Sequence, residues 1–153
     1  MSTNEQKPAE TAPAVLRVAI KAPLSRLFDY LPPDGVDPAT LCRGVRLKVP
    51  FGRRQRIGLL WGTAAQSELP RSRLRRIAAV LDEEPVVDDG LAWLIDFAAG
   101  YYHHPVGEVV AAALPALLRE GRSLHPSETC WQLTSAGAAA DATAAARRAP
   151  RQA

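Results

Sequence analysis

The sequence predicts an α+β domain: a small antiparallel, barrel-like β-sheet with a C-terminal helical pair laid against it. Two observations carry this. From Val15 to about Leu81 apolar residues recur at every second position, and after an acidic stretch they recur at helical spacing as far as Leu114. The chain has 153 residues, 47% hydrophobic and 23% charged, which suits one domain with a real core plus a tail and leaves no room for a multidomain enzyme.

The elements follow in order. Leu16, Val18 and Ile20 alternate with Arg17, Ala19 and Lys21, as in a half-buried strand. A second strand ends at Leu31, because Pro32-Pro33-Asp34-Gly35 combines a fixed φ, a capping side chain and a permitted left-handed position. Val45, Leu47 and Val49 alternate with Arg46 and Lys48. Pro50-Phe51-Gly52 and a short basic loop then reverse the chain into Ile57, Leu59 and Trp61, which predicts a hairpin with one apolar and one basic face. Leu74 to Leu81 fits either period.

Asp88 or Asp89 is positioned to cap a helix whose buried stripe reads Leu91, Leu94, Ile95, Ala98 and Tyr102, and acids at its start suit the dipole. Pro105 ends it, and Val106 to Leu114 forms a second short helix stopped by Pro115. Residues 1–13 are too polar to order themselves, and Thr134 to Ala153 is Ala-rich with no large side chain to fill a core, so both are expected to be tail or linker.

The formal charge of +3 hides a strong division. Arg43 to Arg76 holds ten basic residues, among them Arg46, Lys48, Arg53, Arg54 and Arg56, against one acid, Glu68. Asp82 to Glu108 holds seven acids and no Lys or Arg. The basic stretch is a polyanion-facing surface unless Arg is simply abundant and solvated. No apolar run reaches the roughly 18 residues of a membrane span and the N-terminus does not read as a secretory leader, so a soluble, cytoplasmic protein is expected. Cys42 and Cys130 have no Cys-x-x-Cys companion, which argues against a disulfide scaffold or structural zinc.

Catalytic patterns are missing. There is no G-x-x-x-x-G-K-[ST], no G-x-G-x-x-G and no G-x-S-x-G. Adjacent His103 and His104 would point about 100° apart on a helix, so helix-end packing or capping is the favoured reading and no metal ligand is assigned.

Phe28-Asp29-Tyr30 admits two readings: core aromatics with a turn-capping acid, or a nucleotide pocket. Nucleic-acid backbone repels a carboxylate, so Asp29 in a basic cleft is useful only if it accepts hydrogen bonds from a base edge or sugar hydroxyl. Aromatic faces stack on unpaired bases, Arg supplies salt-sensitive attraction, and Gly52, lacking Cβ, lets a nucleotide approach the backbone unless it is plain turn chemistry.

The phrases RLFDYLPP, GVRLKVPFGRRQRIGLL, SELPRSRLRRIAAVLDEEPV and YYHHPVGEVVAAALPALLREG, in that order from Val15 to Gly121, resemble the N-terminal region of the PriA (primosomal protein N prime) replication-restart family. The resemblance implies that residues 14–118 form that family's 3′-DNA-binding domain, which captures the 3′ end of a nascent strand at a stalled or branched fork. It favours a strand over Leu74 to Leu81, and implies that Phe28, Asp29, Tyr30, Gly52 and Arg75 bind the 3′ end, Asp29 at the base and Arg75 on the phosphate side. Arg46, Lys48, Arg53, Arg54 and Arg56 are then expected along the DNA backbone. Arg stands at position 75 where Lys is familiar in enterobacterial relatives, and guanidinium brings a different phosphate geometry.

By the same resemblance, residues 119–153 are a linker and the incomplete start of a winged helix, and the chain is expected to be a fragment or a truncated reading frame. Helicase lobes and a zinc region, with ATP and zinc as cofactors, belong to complete family members, so no cofactor and no enzymatic activity are expected of this chain. Expected partners are branched or single-stranded DNA with a free 3′ end, with single-stranded-DNA-binding protein and other primosome proteins as further candidates, in a nucleoid-associated setting and without a membrane. The alternative is a protein-interaction adaptor, docking a restart partner through the acidic helical region from Asp82 to Glu108.

Overall fold

Five strands assemble in the order β2-β1-β4-β3-β5, every neighbouring pair antiparallel. The strands are β1 (Val15–Ile20), β2 (Phe28–Tyr30), β3 (Arg46–Phe51), β4 (Arg54–Ala64) and the short β5 (Ala79–Val80). The structure is a computed structural model and describes residues 15–124 and 130–139. The expected N-terminal tail and most of Thr134 to Ala153 lie outside the described residues.

β4 is the central strand, flanked by β1 and β3, and a bulge between Arg17 and Val18 lets Trp61 enter as an extra residue on β4. One face carries Leu16, Val18, Leu47, Val49 and Leu60, closed by Tyr30 and Ile77. The sheet rolls round this cluster until its two edges touch at a single parallel bridge, Leu31 with Arg76, where the Leu31 N–H donates to the Arg75 carbonyl and the Ile77 N–H to that of Leu31. One bridge does not close a barrel, so the architecture is α+β with an open, curled sheet. Leu74 to Leu81 is mostly a path to that bridge, with regular strand only at β5.

The opposite face of the sheet is also covered. Ala19, Leu59 and Trp61 pack against Val87, Ala92, Ile95, Val110 and Leu114, which belong to or flank α1 (Asp89–Tyr101) and α2 (Val106–Ala113). Asp88 is the cap of α1, its Oδ1 accepting from the Leu91 N–H at 2.8 Å. His103 at φ 53° and the His104 N–H donating to the Ala99 carbonyl end that helix in a Schellman-type turn, which is the capping role expected of the pair. Gly107 brings α2 onto β1 at a separation no other residue permits: an added Cβ would lie 1.9 Å from the Ile20 carbonyl oxygen. Short helices α3 (Ala116–Arg119) and α4 (Ser135–Ala138) follow.

Two expectations are corrected here. A two-residue loop places Arg46 opposite Leu59 and Lys48 opposite Ile57, so β4's Ile57, Leu59 and Trp61 share the face of the basic residues of β3 and not that of Leu47 and Val49. The hairpin therefore has two apolar faces, with basic residues at its tip and edge. In α1 the buried residues are Ala92 and Ile95, with Leu91 and Ala98 partly covered, whereas Leu94 and Tyr102 are exposed.

Candidate nucleic-acid interface

The loop between β3 and β4 is Gly52-Arg53, closed by the Phe51–Arg54 pair. Gly52 has φ 60° and Arg53 does not take a positive φ, the pattern of a type II′ turn with glycine first. Turn chemistry thus accounts for Gly52. A Cβ there would still meet nothing within 4 Å, so its outer side is open to an approaching ligand.

Beside this turn, a cavity of about 490 Å³ opens between β2, the hairpin and the segment from Ser67 to Arg75. Phe28, Asp29, Tyr30, Gly52 and Arg75 all line it. Phe28 and Phe51 meet edge to face at 5.1 Å, with Arg26 over the Phe28 ring and Arg56 over the Phe51 ring. Arg75 donates from Nη1 to the Gly52 carbonyl at 2.9 Å, which ties the segment to the hairpin turn.

Asp29 sits opposite Arg17 on β1, its side chain 18% exposed and its Oδ1 3.8 Å from the Arg17 Nε. Ser67 donates its hydroxyl to Oδ2 at 2.5 Å, and the Leu69 N–H donates back to that hydroxyl oxygen. The carboxylate is therefore held in place while an acceptor edge still faces the cavity. The two aromatics of the motif diverge in role. Phe28 is half-buried in the cavity wall, whereas Tyr30 is a core residue whose hydroxyl donates to the Pro50 carbonyl at 2.9 Å. Burial raises the Tyr30 pKa above its usual value of 10.0, and the Arg75 guanidinium pulls it partly back. Tyr30 shapes the floor and offers little ring face for stacking.

Arg46 is the clear correction among the expected DNA-backbone residues. It is 1% exposed and clasps Asp82, itself 2% exposed, through Nε to Oδ2 at 2.8 Å and Nη2 to Oδ1 at 2.6 Å. Its Nη1 donates to the carbonyls of Leu118 and Arg122, tying β3 to the end of α3. A strand is expected to alternate inside and outside, but here the outer side of β3 is roofed over at Arg46, though not at Lys48, and the charge is answered by an aspartate 36 residues away. Arg53 and Arg54 are exposed at the hairpin tip. Lys48 and Arg56 line a second cleft of about 300 Å³ on the helix side of the hairpin, together with Lys21 and Arg119.

Sequence reasoning missed Arg17, Arg26, Ser67, Glu68 and Arg73, all of which border the cavity around Asp29. Arg17 was readable as an outward β1 position, but not its register against Asp29. Ser67 lies in an irregular stretch with no period, so nothing in its neighbourhood announces a carboxylate partner. Among the described residues no group of three or more His, Cys, Asp and Glu side chains is placed to hold a metal, and Cys42 and Cys130 are free and exposed.

The model of the PriA 3′DNA-binding domain (3′BD) family matches residues 17–115, well over half of the chain. The chain belongs to that family. The match runs from the β1 residue facing Asp29 to the proline that follows α2, so it takes in the whole cavity. The chain is 38% identical over 128 residues to a replication restart protein PriA of Haemophilus influenzae, covering 80% of this chain. The replication restart proteins PriA of Buchnera aphidicola subsp. Acyrthosiphon pisum and subsp. Schizaphis graminum are 25% and 23% identical over 80% and 69% of the chain. The chain spans about 17% of the length of the Haemophilus relative. It is a member of the PriA 3′DNA-binding domain family, and among its described residues no helix is long and apolar enough to cross a membrane.

Proposed function

We propose that the Asp29 cavity holds the terminal nucleotide at the free 3′ end of a DNA strand, as at a stalled or branched replication fork. The observation that carries this reading is a carboxylate fixed by Ser67 within a cavity bordered by Arg17, Arg26, Arg73 and Arg75. Arginines draw in a phosphodiester chain, and a carboxylate among them repels phosphate but accepts hydrogen bonds from an amino or hydroxyl group. A strand end supplies both kinds of group at one place. The cavity's volume falls in the range of small-ligand sites, and the half-buried Phe28–Phe51 pair offers an apolar wall for a base.

In this arrangement Asp29 reads the base edge or terminal hydroxyl, Arg75 and Arg73 hold the phosphate side, and Arg53, Arg54, Lys48 and Arg56 guide the backbone away along the hairpin. The test is fluorescence anisotropy with single-stranded oligonucleotides that differ only in their 3′-terminal base, for the unaltered chain and for Asp29→Ala. The unaltered chain should rank the four oligonucleotides. The variant should lose about tenfold or more in affinity for the preferred one, the loss of a charge-assisted hydrogen bond, and bind all four alike. A variant that keeps both affinity and ranking refutes the assignment.

A further inference from the structure

One face of α1 has no role in the fold or in the DNA cavity. Trp93, Phe97 and Tyr101, spaced four residues apart, are 67%, 51% and 67% exposed, and Tyr102 and Leu94 beside them are 66% and 52% exposed. The chain has nine aromatic Phe, Trp and Tyr residues, and three of them stand in solvent on this one helix, with a fourth, Tyr102, at its C-terminal cap. Monomeric proteins seldom leave so large a contiguous apolar surface uncovered without a binding role.

The rings form a stair. Trp93 and Phe97 stack at 5.7 Å with an interplanar angle of 14°, and Phe97 and Tyr101 at 5.5 Å and 19°. These rings lie against one another. Inserting a nucleobase between two of them would require a gap of about 7 Å, twice the base-stacking rise of 3.4 Å. The charge of this stretch of the chain also disfavours nucleic acid. Of the seven acids from Asp82 to Glu108, Asp82 and Asp96 are engaged by Arg46 and Arg43. Glu83, Glu84, Asp88, Asp89 and Glu108 enter no ion pair among the described residues, and the stretch contains no Lys or Arg. Asp89 lies one turn before Trp93, at the border of the stair.

We propose that this aromatic face is a protein-docking surface for a polypeptide segment that combines arginine with apolar side chains. Guanidinium groups stack on exposed rings and answer the Asp89 carboxylate, while aliphatic side chains cover Leu94 and the ring edges. The face lies across the sheet from the cluster that adjoins the DNA cavity, since α1 packs on the Leu59 and Trp61 side and Phe28 and Phe51 pack on the other. Docking and DNA capture are thus separable.

The test uses two 14-residue helical peptides with identical Leu positions, one with Arg and one with Glu at every polar position, titrated into the 15N-labelled chain. The Arg peptide should saturably shift the Trp93 indole N–H and the α1 amides. Trp93→Ser and Phe97→Ser, both at exposed positions, should each weaken it at least fivefold, Asp89→Lys should weaken it further, and anisotropy with a single-stranded oligonucleotide should not change. Equal binding of the Glu peptide, or undiminished binding of the Arg peptide to Trp93→Ser, overturns the proposal. So does an oligonucleotide that shifts the Trp93 indole, which would make the stair a nucleic-acid platform. Sedimentation that shows a dimer dissolved by Trp93→Ser also overturns it, by assigning the face to a second copy of the chain. Neither oligonucleotide ranking nor its loss in Asp29→Ala bears on these outcomes.

Discussion

Two buried or half-buried charges, Arg46 and Asp29, show how the same chemistry is turned to different ends. Arg46 sits in a closed box of acceptors supplied by Asp82, Leu118 and Arg122, so its role is to join β3 to the end of the helical layer. Removing one partner of such a pair leaves the other uncompensated in the interior. Arg46→Ala is expected to lower stability by about 3–5 kcal/mol in urea unfolding. Oligonucleotide affinity measured on the folded fraction should stay as it was, and a selective loss of DNA affinity at full stability would return Arg46 to the interface. Asp29, by contrast, has one firm partner, the Ser67 hydroxyl, and an edge on the cavity. The residue pattern distinguished these two only partly. Alternation marks Arg46 as outward because it marks every second residue so, and it carries no information about a roof built 36 or more positions later. Asp29 stood out because an acid between aromatics, next to a basic stretch, is chemically odd.

At the level of elements, the local signals were strong wherever one strand or helix decides its own fate. The β3–β4 turn, the Asp88 cap, the stop at Pro115 and the His103-His104 end of α1 all depend on a few neighbouring residues. Faces were harder, since they depend on which neighbour arrives. α1 carries two stripes at helical spacing, a small one through Ala92 and Ile95 and an aromatic one through Trp93, Phe97 and Tyr101. The small stripe goes inward because Leu59 and Trp61 already fill the space above the sheet, with the Trp61 indole N–H donating to Asp96 of α1 at 2.8 Å. The same closeness governs α2. Gly107→Ala places a methyl group inside the Ile20 carbonyl, and backbone cannot step aside as a side chain would. It should cost about 1–3 kcal/mol or more in thermal or urea unfolding by displacing α2 from β1. An unchanged midpoint would mean that the helix is not seated as closely as described.

Over the whole molecule, the charge division read from the sequence has two uses. Part of it is internal: Arg43 with Asp96 and Arg46 with Asp82 join the basic and acidic stretches to one another, so the opposite charges help to assemble the layers. The rest is external, with Arg53 and Arg54 at the hairpin tip, Lys48 and Arg56 at its edge and the cavity arginines beyond. Binding of single-stranded DNA should therefore weaken with salt, with a log–log slope of about −0.7 for each phosphate neutralised. Replacing Arg53 and Arg54 together by Gln should reduce that slope by about 1.4 and leave any terminal-base ranking intact. A slope that does not change places the strand elsewhere on the surface.

Recognition of a strand's 3′ terminus at Asp29, as proposed, differs from backbone binding in one respect: it depends on the chemistry of the last nucleotide. The most direct measurement compares the affinities of two oligonucleotides of one sequence, one ending in a 3′-hydroxyl and one in a 3′-phosphate. With a fixed carboxylate at the cavity, the hydroxyl end should bind about tenfold or more tightly, and Asp29→Asn should shrink the difference. Equal affinity for the two ends, or a preference for the phosphate, would contradict the account.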